Sequence, residues 1–206
     1  PARKEAQNLA SHIGKVLRLR DDGSIPPDNP FVKDPKAKGE IYTYGHRNAY
    51  GLAFHPQTGE LWASEFGAAG GDELNRLIPG HNYGWPIVSL GRNYTGTLVS
   101  EQPWWRKGMD MPIFHWNPVI NPSNMIFYTG KKFDRLTGRL IVAGAGTKRI
   151  VQLVINGDMV RQVDSMLREL NVRFRDIRQG PDECLYVLTE GRSRGNQDTD
   201  GMLLRI

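Results

Sequence analysis

The sequence predicts an all-β fold, a β-propeller of about four blades. Three observations carry this. First, short units recur. GKVLRL (Gly14–Leu19) returns as GMLLRI (Gly201–Ile206) and, more loosely, as RIVQLVI (Arg149–Ile155). GLAFHPQTGELWASE (Gly51–Glu65) matches DIRQGPDECLYVLTE (Asp176–Glu190): strand, proline turn, then Leu and an aromatic opening a second strand. MIFYTGKKFDRLTGRLIVA (Met125–Ala143) is a third copy with a longer turn. Second, 23 glycines and 13 prolines fall between short apolar runs, as turns require. Third, Asn156-Gly157 between two apolar runs is a strong hairpin signal. At about 40–50 residues per blade there is room for about four, some incomplete. The last blade ends on its third strand. A parallel β-helix would need shorter, more regular repeats.

The elements follow in order. Ala6–Ile13 reads as a short helix or an ordered loop. Gly14–Leu19 alternates its faces as a strand does. Arg20–Pro35 carries DDG and four prolines and reads as a loop. Strands Gly51–Phe54, Leu61–Glu65 and Leu74–Ile78 frame a glycine-rich acidic loop. Val88–Pro112 is a long irregular excursion, and Ile113–Trp116 a short strand. Met125–Tyr128 and Arg139–Ala143 pair around a turn. Arg149–Ile155 and Met159–Val163 form the hairpin at Asn156-Gly157. Arg175–Gln179, Cys184–Leu188 and Gly201–Ile206 complete the set. Residues 1–206 are expected to be one partial propeller without a separate second domain.

Composition excludes several classes. Apolar content of 39% and charged content of 24% mark a globular chain rather than a disordered one. No run approaches the roughly 20 apolar residues of a membrane span. The net charge is +5, but the basic residues are scattered and form no stripe, which argues against a nucleic-acid partner. The one cysteine, Cys184, sits in an apolar strand pattern and reads as a structural thiol.

Four features can carry chemistry. GHRN (Gly45–Asn48) places a guanidinium fork and an amide at the mouth of a strand. Taken alone it also reads as a surface turn. EFGAAGGDELN (Glu65–Asn75) flanks a glycine-rich loop with carboxylates, a source of the oxygens that hard cations bind. A solvated acidic turn is the alternative. In RFRD (Arg173–Asp176), extended alternation sends Arg173 and Arg175 to one face, where they repel unless they share an anion. A solvated strand edge is the alternative there. The aromatics Trp62, Tyr83, Trp85, Trp104, Trp105 and Trp116 suit core packing or a loop lid better than a stacking platform.

Taken together, GKVLRLRDDGSIPPDNPF (Gly14–Phe31), IYTYGHRNAYGLAFHP (Ile41–Pro56), DELNRLIPGHNYGWP (Asp72–Pro86) and RFRDIRQGPDECLYVLTE (Arg173–Glu190) are specific. In that order they resemble the soluble glucose/sorbosone dehydrogenase family, the pyrroloquinoline-quinone (PQQ)-dependent aldose sugar dehydrogenases. The resemblance runs from about Glu5 to Ile206. It implies a six-bladed propeller that holds PQQ and calcium over its central channel. It implies that Arg47 and Asn48 contact the quinone and that Arg173 and Arg175 meet its carboxylates. The carbonyls of Gly67 and Ala68 would hold the calcium that bridges to the quinone, although the family usually has Pro at the second position. Glu73 and the Tyr83 carbonyl would sit at a second, structural calcium.

The activity implied is oxidation of the C1 hydroxyl of an aldose to a lactone, with an external electron acceptor. A periplasmic or extracellular location is implied in the same way. The family's histidine base lies upstream of the segment at which this chain begins. No catalytic residue is therefore expected here, and none of His12, His46, His55, His81 or His115 matches the base's motif. No residue matches the family's quinone-contacting lysine, although Thr147-Lys148-Arg149 occupies the region. A chain lacking blades is expected to associate with itself or to pair with a missing N-terminal segment. The competing expectation is a non-catalytic propeller module that binds a carbohydrate or a protein partner.

Overall fold

The computed structural model describes residues 2–100, 105–194 and 197–206. Trp104 lies outside them. The chain is almost wholly strand and loop. A 3-10 helix (Ala2–Gln7) opens it. It is followed by β1 (Lys15–Leu17), β2 (Ile41–Tyr44), β3 (Ala49–Phe54), β4 (Leu61–Glu65), β5 (Asp72–Leu77) and β6 (Phe114–Trp116). Next come β7 (Pro122–Phe127), β8 (Leu140–Gly144), β9 (Arg149–Asn156) and β10 (Met159–Met166), then a 3-10 turn at Arg168–Leu170. The last strands are β11 (Phe174–Gln179), β12 (Leu185–Thr189), β13 (Arg192–Arg194), β14 (Gln197–Thr199) and β15 (Leu203–Arg205). No helix among the described residues is long and apolar enough to cross a membrane.

The sheets are up-and-down meanders. Strands β3 to β6 follow one another in a four-stranded sheet, and β7 to β10 do the same. β11, β12 and β15 make a three-stranded sheet, as expected of a last blade ending on its third strand. β1 pairs with β2, and β13 with β14. GKVLRL and GMLLRI, alike in sequence, each supply one short strand, β1 and β15.

By contact the chain forms two compact units: Pro1–Ala49 with Glu65–His115, and Tyr50–Ser64 with Trp116–Ile206. The second unit holds a large core. Tyr128, Ile141, Ile150, Phe174, Ile177, Leu185 and Val187 are buried together between strands of two sheets. β8 (LIVAG) is buried along its whole length, which explains its continuous apolar run. The β9–β10 hairpin turns through Gly157-Asp158, between the paired residues Asn156 and Met159, with Gly157 at φ +61°. A bulge between Gln162 and Asp164 lets β10 run on to Met166.

In the first unit, backbone hydrogen bonds tie loops that are distant in sequence. The Gly45 N–H donates to Ala6 O at 3.0 Å, His46 N–H to Gly14 O at 3.1 Å and Trp85 N–H to Gly45 O at 2.8 Å. Gly45 takes φ +78°, and an added Cβ there would collide with the Asn82 side chain and the Gly84 backbone. The GHRN turn is thereby fixed against NYGWP, the motif at Asn82–Pro86. Trp62, Trp116, Tyr83 and Trp85 are buried, as core packing predicts, while Trp105 is exposed. Cys184 is a buried free thiol whose sulfur accepts a hydrogen bond from Lys132 Nζ at 2.8 Å.

Candidate functional site

The site in the first unit is built on a buried pair. His46 Nδ1 lies 2.6 Å from Glu65 Oε1, and His46 Nε2 lies 2.8 Å from Thr43 Oγ1. The His46 ring stacks on that of Tyr83 at 4.8 Å between centroids. Glu65 Oε2 accepts the Arg47 N–H at 3.1 Å, and Glu65 Oε1 accepts Asn75 Nδ2 at 3.0 Å. Burial alone would push the Glu65 carboxyl up. His46, the Arg47 N–H and the Asn75 amide outweigh it and hold the group below its ordinary value. His46 is thus committed on both ring nitrogens and serves structure.

Glu73 behaves in the opposite way. Burial and the neighbouring Glu65 push its carboxyl up to about 8, against one hydrogen bond from Asn75 Nδ2 at 3.3 Å. Asn75 spends both of its donors on these two carboxylates, and its own buried Oδ1 has no hydrogen-bond partner. An orphaned amide oxygen beside a carboxylate held largely neutral is a site that lacks positive charge. A cavity of about 10 Å³, room for one water-sized occupant, is lined by Arg47, Glu65, Gly67, Glu73 and Tyr83, among others. No group of three or more His, Cys, Asp or Glu side chains among the described residues is arranged to hold a metal. A cation here would therefore draw on carboxylate, amide and backbone oxygens together, the donor set that calcium prefers.

The loop between β4 and β5 supplies that backbone. The Gly67 N–H donates to Asp72 Oδ1 at 3.0 Å. A Cβ at Gly67 would collide with the carbonyl oxygens of Gly70 and Gly71, so no other residue fits. Ala68 is buried, and its carbonyl accepts the Arg92 N–H at 2.6 Å, which leaves its second lone pair for a ligand. The Tyr83 hydroxyl donates to Arg76 O at 2.6 Å and accepts the Ile78 N–H at 2.9 Å. Burial raises its phenol far above the ordinary value, so it stays protonated.

Arg47 extends one N–H to Phe66 O at 3.1 Å, and its guanidinium carbon lies 5.5 Å from the centre of the Trp85 ring. The Asn48 carbonyl accepts the Phe66 N–H at 3.0 Å, and the residue lines a hollow next to Arg47. The first unit therefore gathers Arg47, Gly67, Glu73 and Tyr83 around one cavity, with Asn48 and Ala68 joined to it through Phe66 and the loop.

Arg173 and Arg175 lie in the second unit. They do share a face and an anion, and the anion is internal. Glu190 Oε1 accepts from Arg175 at 2.7 Å, and Glu190 Oε2 from Arg173 at 3.4 Å. The Arg175 hydrogen bond, more than the proximity of Arg173, holds the Glu190 carboxyl below its ordinary value. Both arginines remain near half exposed. Lys148 donates to Asn171 Oδ1 at 2.7 Å in the same unit.

Sequence reasoning did not foresee the parts played by Asn75 and Glu190. Asn75 was findable, because it stands two residues from Glu73 on a strand and so shares its face. Glu190 needs the register: Phe174 pairs with Thr189, which sets Glu190 beside Arg173.

Comparison with known proteins shows the family. The family described as Glucose / Sorbosone dehydrogenase matches residues 1–205. Aldose sugar dehydrogenase YliI of Escherichia coli is 38% identical over 205 residues, covering 99% of this chain and 53% of the relative. Quinoprotein glucose dehydrogenase B of Acinetobacter calcoaceticus is 30% identical over 245 residues, covering 92% and 50%. The apo-form crystal structure of the soluble aldose sugar dehydrogenase from Escherichia coli superposes with a TM-score of 0.90 at 38% identity, over 98% of this chain and 57% of that one. The PQQ-bound aldose sugar dehydrogenase from Streptomyces coelicolor superposes with a TM-score of 0.71 at 29% identity, over 98% and 54%. The chain spans about half the length of these curated relatives. Its sheets are blades of the propeller that these dehydrogenases share. The chain belongs to the glucose/sorbosone dehydrogenase family.

Proposed function

We propose that this chain provides the quinone- and calcium-binding face of a PQQ-dependent aldose sugar dehydrogenase, which oxidises the C1 hydroxyl of an aldose to a lactone. The observation that carries the reading is the Glu73–Asn75 pair: a carboxyl raised to about 8 next to an unpartnered buried amide oxygen. Calcium would satisfy both. Glu73 and the Tyr83 carbonyl would hold one ion, and the Gly67 and Ala68 carbonyls the ion beside the cofactor. Arg47 would meet the quinone through its free N–H groups, with the indole of Trp85 behind it, and Asn48 would add an amide. Arg173 and Arg175 would meet its carboxylates with the charge that Glu190 leaves unmatched.

When bound, the quinone supplies the hydride acceptor and calcium the Lewis acid that polarises it. The residues of this chain orient that pair and balance its charge. His46 takes no proton from substrate, since Thr43 and Glu65 occupy both of its nitrogens. An external acceptor would reoxidise the cofactor, and the relatives' soluble sugar chemistry supports a periplasmic or extracellular setting. One observation favours the second reading, a binding module without cofactor: Glu190 already neutralises part of the Arg173–Arg175 charge. Calorimetric titration of the metal-free chain with calcium separates the two. The proposal expects binding that Glu73→Gln weakens at least tenfold. Equal heats for both proteins, or none, would favour the binding module.

A further inference from the structure

A second hollow of about 250 Å³ lies in the first unit, lined by Arg3, Ile13, Arg47, Asn48 and Trp85 among others. Two guanidiniums converge on its one indole. The guanidinium carbons of Arg3 and Arg47 each lie 5.5 Å from the Trp85 ring centre. Their hydrogen-bond partners are neutral: Asn93 Oδ1 for Arg3 at 2.6 Å and Phe66 O for Arg47 at 3.1 Å. Among the described residues, neither meets a carboxylate. Several other arginines do meet one, although Arg92 and Arg139 also donate to neutral oxygens. Arg18 pairs with Asp28, Arg173 and Arg175 with Glu190, and Arg205 with Asp182. Two like charges at one aromatic ring, beside open volume and without a counter-ion, call for an anion from outside.

We propose that Arg3 is an anion-binding residue that acts with Arg47 to hold a carboxylate in this hollow. A carboxylate matches the planar donor fork of each guanidinium, and the Asn48 amide at the rim can add a donor. The carboxylate belongs either to the quinone or to a carboxylated sugar. The first source rests on the function proposed above; the second does not.

The test uses the full chain with Arg3→Gln, at an exposed position, and Arg47→Gln, at a partly buried one, with folding checked by circular dichroism. Each protein is titrated with PQQ in the presence of calcium, followed by Trp fluorescence, and with glucuronate against glucose by calorimetry. Arg3→Gln is expected to weaken carboxylate binding about tenfold or more, from the loss of one charge-assisted contact. The loss should shrink in high salt. Loss for PQQ alone assigns the carboxylate to the quinone, and loss for glucuronate alone assigns it to a sugar acid. Both outcomes support Arg3. Glucuronate binding that depends on Arg3 in a chain that takes up no PQQ would overturn the proposed function and keep this site. Unchanged binding of both ligands in Arg3→Gln, with binding lost in Arg47→Gln, would overturn the role of Arg3 and leave the function intact. No binding of either ligand to the unaltered chain would overturn both.

Discussion

Glu73 and Asn75 stand two residues apart on β5, and the Asn75 amide nitrogen lies 3.3 Å from Glu73 Oε2 while its oxygen has no partner. Alternation along a strand puts both side chains on one face. The face is rich in oxygen and poor in positive charge.

That imbalance should be visible in the pH dependence of stability. The Glu73 carboxyl has an ordinary value of 4.5 and titrates at about 8 when folded without metal. Between those values the folded chain keeps a proton that the unfolded chain has lost. Stability therefore falls as pH rises from about 4.5 to about 8. Glu73→Gln should flatten this fall, and calcium should flatten it in the unaltered chain by favouring the ionised form. Thermal melts from pH 5 to pH 9 with calcium or with chelator check both effects. An equal slope in the variant would contradict them.

The His46–Glu65 pair is buried and satisfied, so breaking it from one side leaves a stranded partner. His46→Ala should cost on the order of 3–5 kcal/mol in urea denaturation, the range for removing one member of a buried pair. Calcium binding would then weaken through displacement of Glu65 and Asn75. A loss below about 1 kcal/mol would show that the pair is accessible to water.

Glu190 competes with any external anion for Arg173 and Arg175. Glu190→Gln should tighten PQQ binding several-fold, while the partly exposed position keeps the stability change within about 1 kcal/mol. Weaker binding in the variant would mean that Glu190 positions the arginines rather than masking them.

Phe174 is buried in the core of the second unit, and its carbonyl accepts the Ser123 hydroxyl at 2.8 Å. Phe174→Ala should cost about 3–5 kcal/mol. Chemical denaturation measures it, and a cost under 1 kcal/mol would place the residue outside the core.

Much of this was legible in the sequence, for physical reasons. Strands with an apolar face or a continuous apolar run, such as Leu140–Gly144 and Leu61–Glu65, announce themselves. So does the hairpin at Asn156-Gly157. Ile41–Tyr44 is a strand absent from the sequence reading, although IYTY alternates in burial. Arg192–Arg194 with Gln197–Thr199 carries no apolar period and gives no strand signal. The polar start of Pro122–Phe127 was missed because a bulge between Pro122 and Met125 breaks the pattern. At the site, residue types pointed to GHRN, the acidic glycine loop and RFRD. The contacts that decide their charge state cross long stretches of chain. Arg3 reaches Trp85 from a distant part of the sequence, and no spacing rule could reveal it.

The proposed function requires that this chain gather a calcium-dependent site for a multiply negative quinone. Equilibrium titration of the purified chain with PQQ, run with saturating calcium and again with chelator, tests it most directly. Saturable one-to-one binding is expected, dependent on calcium and weakened at least tenfold by Arg47→Gln. Binding that is indifferent to both calcium and Arg47, or no binding, would contradict it.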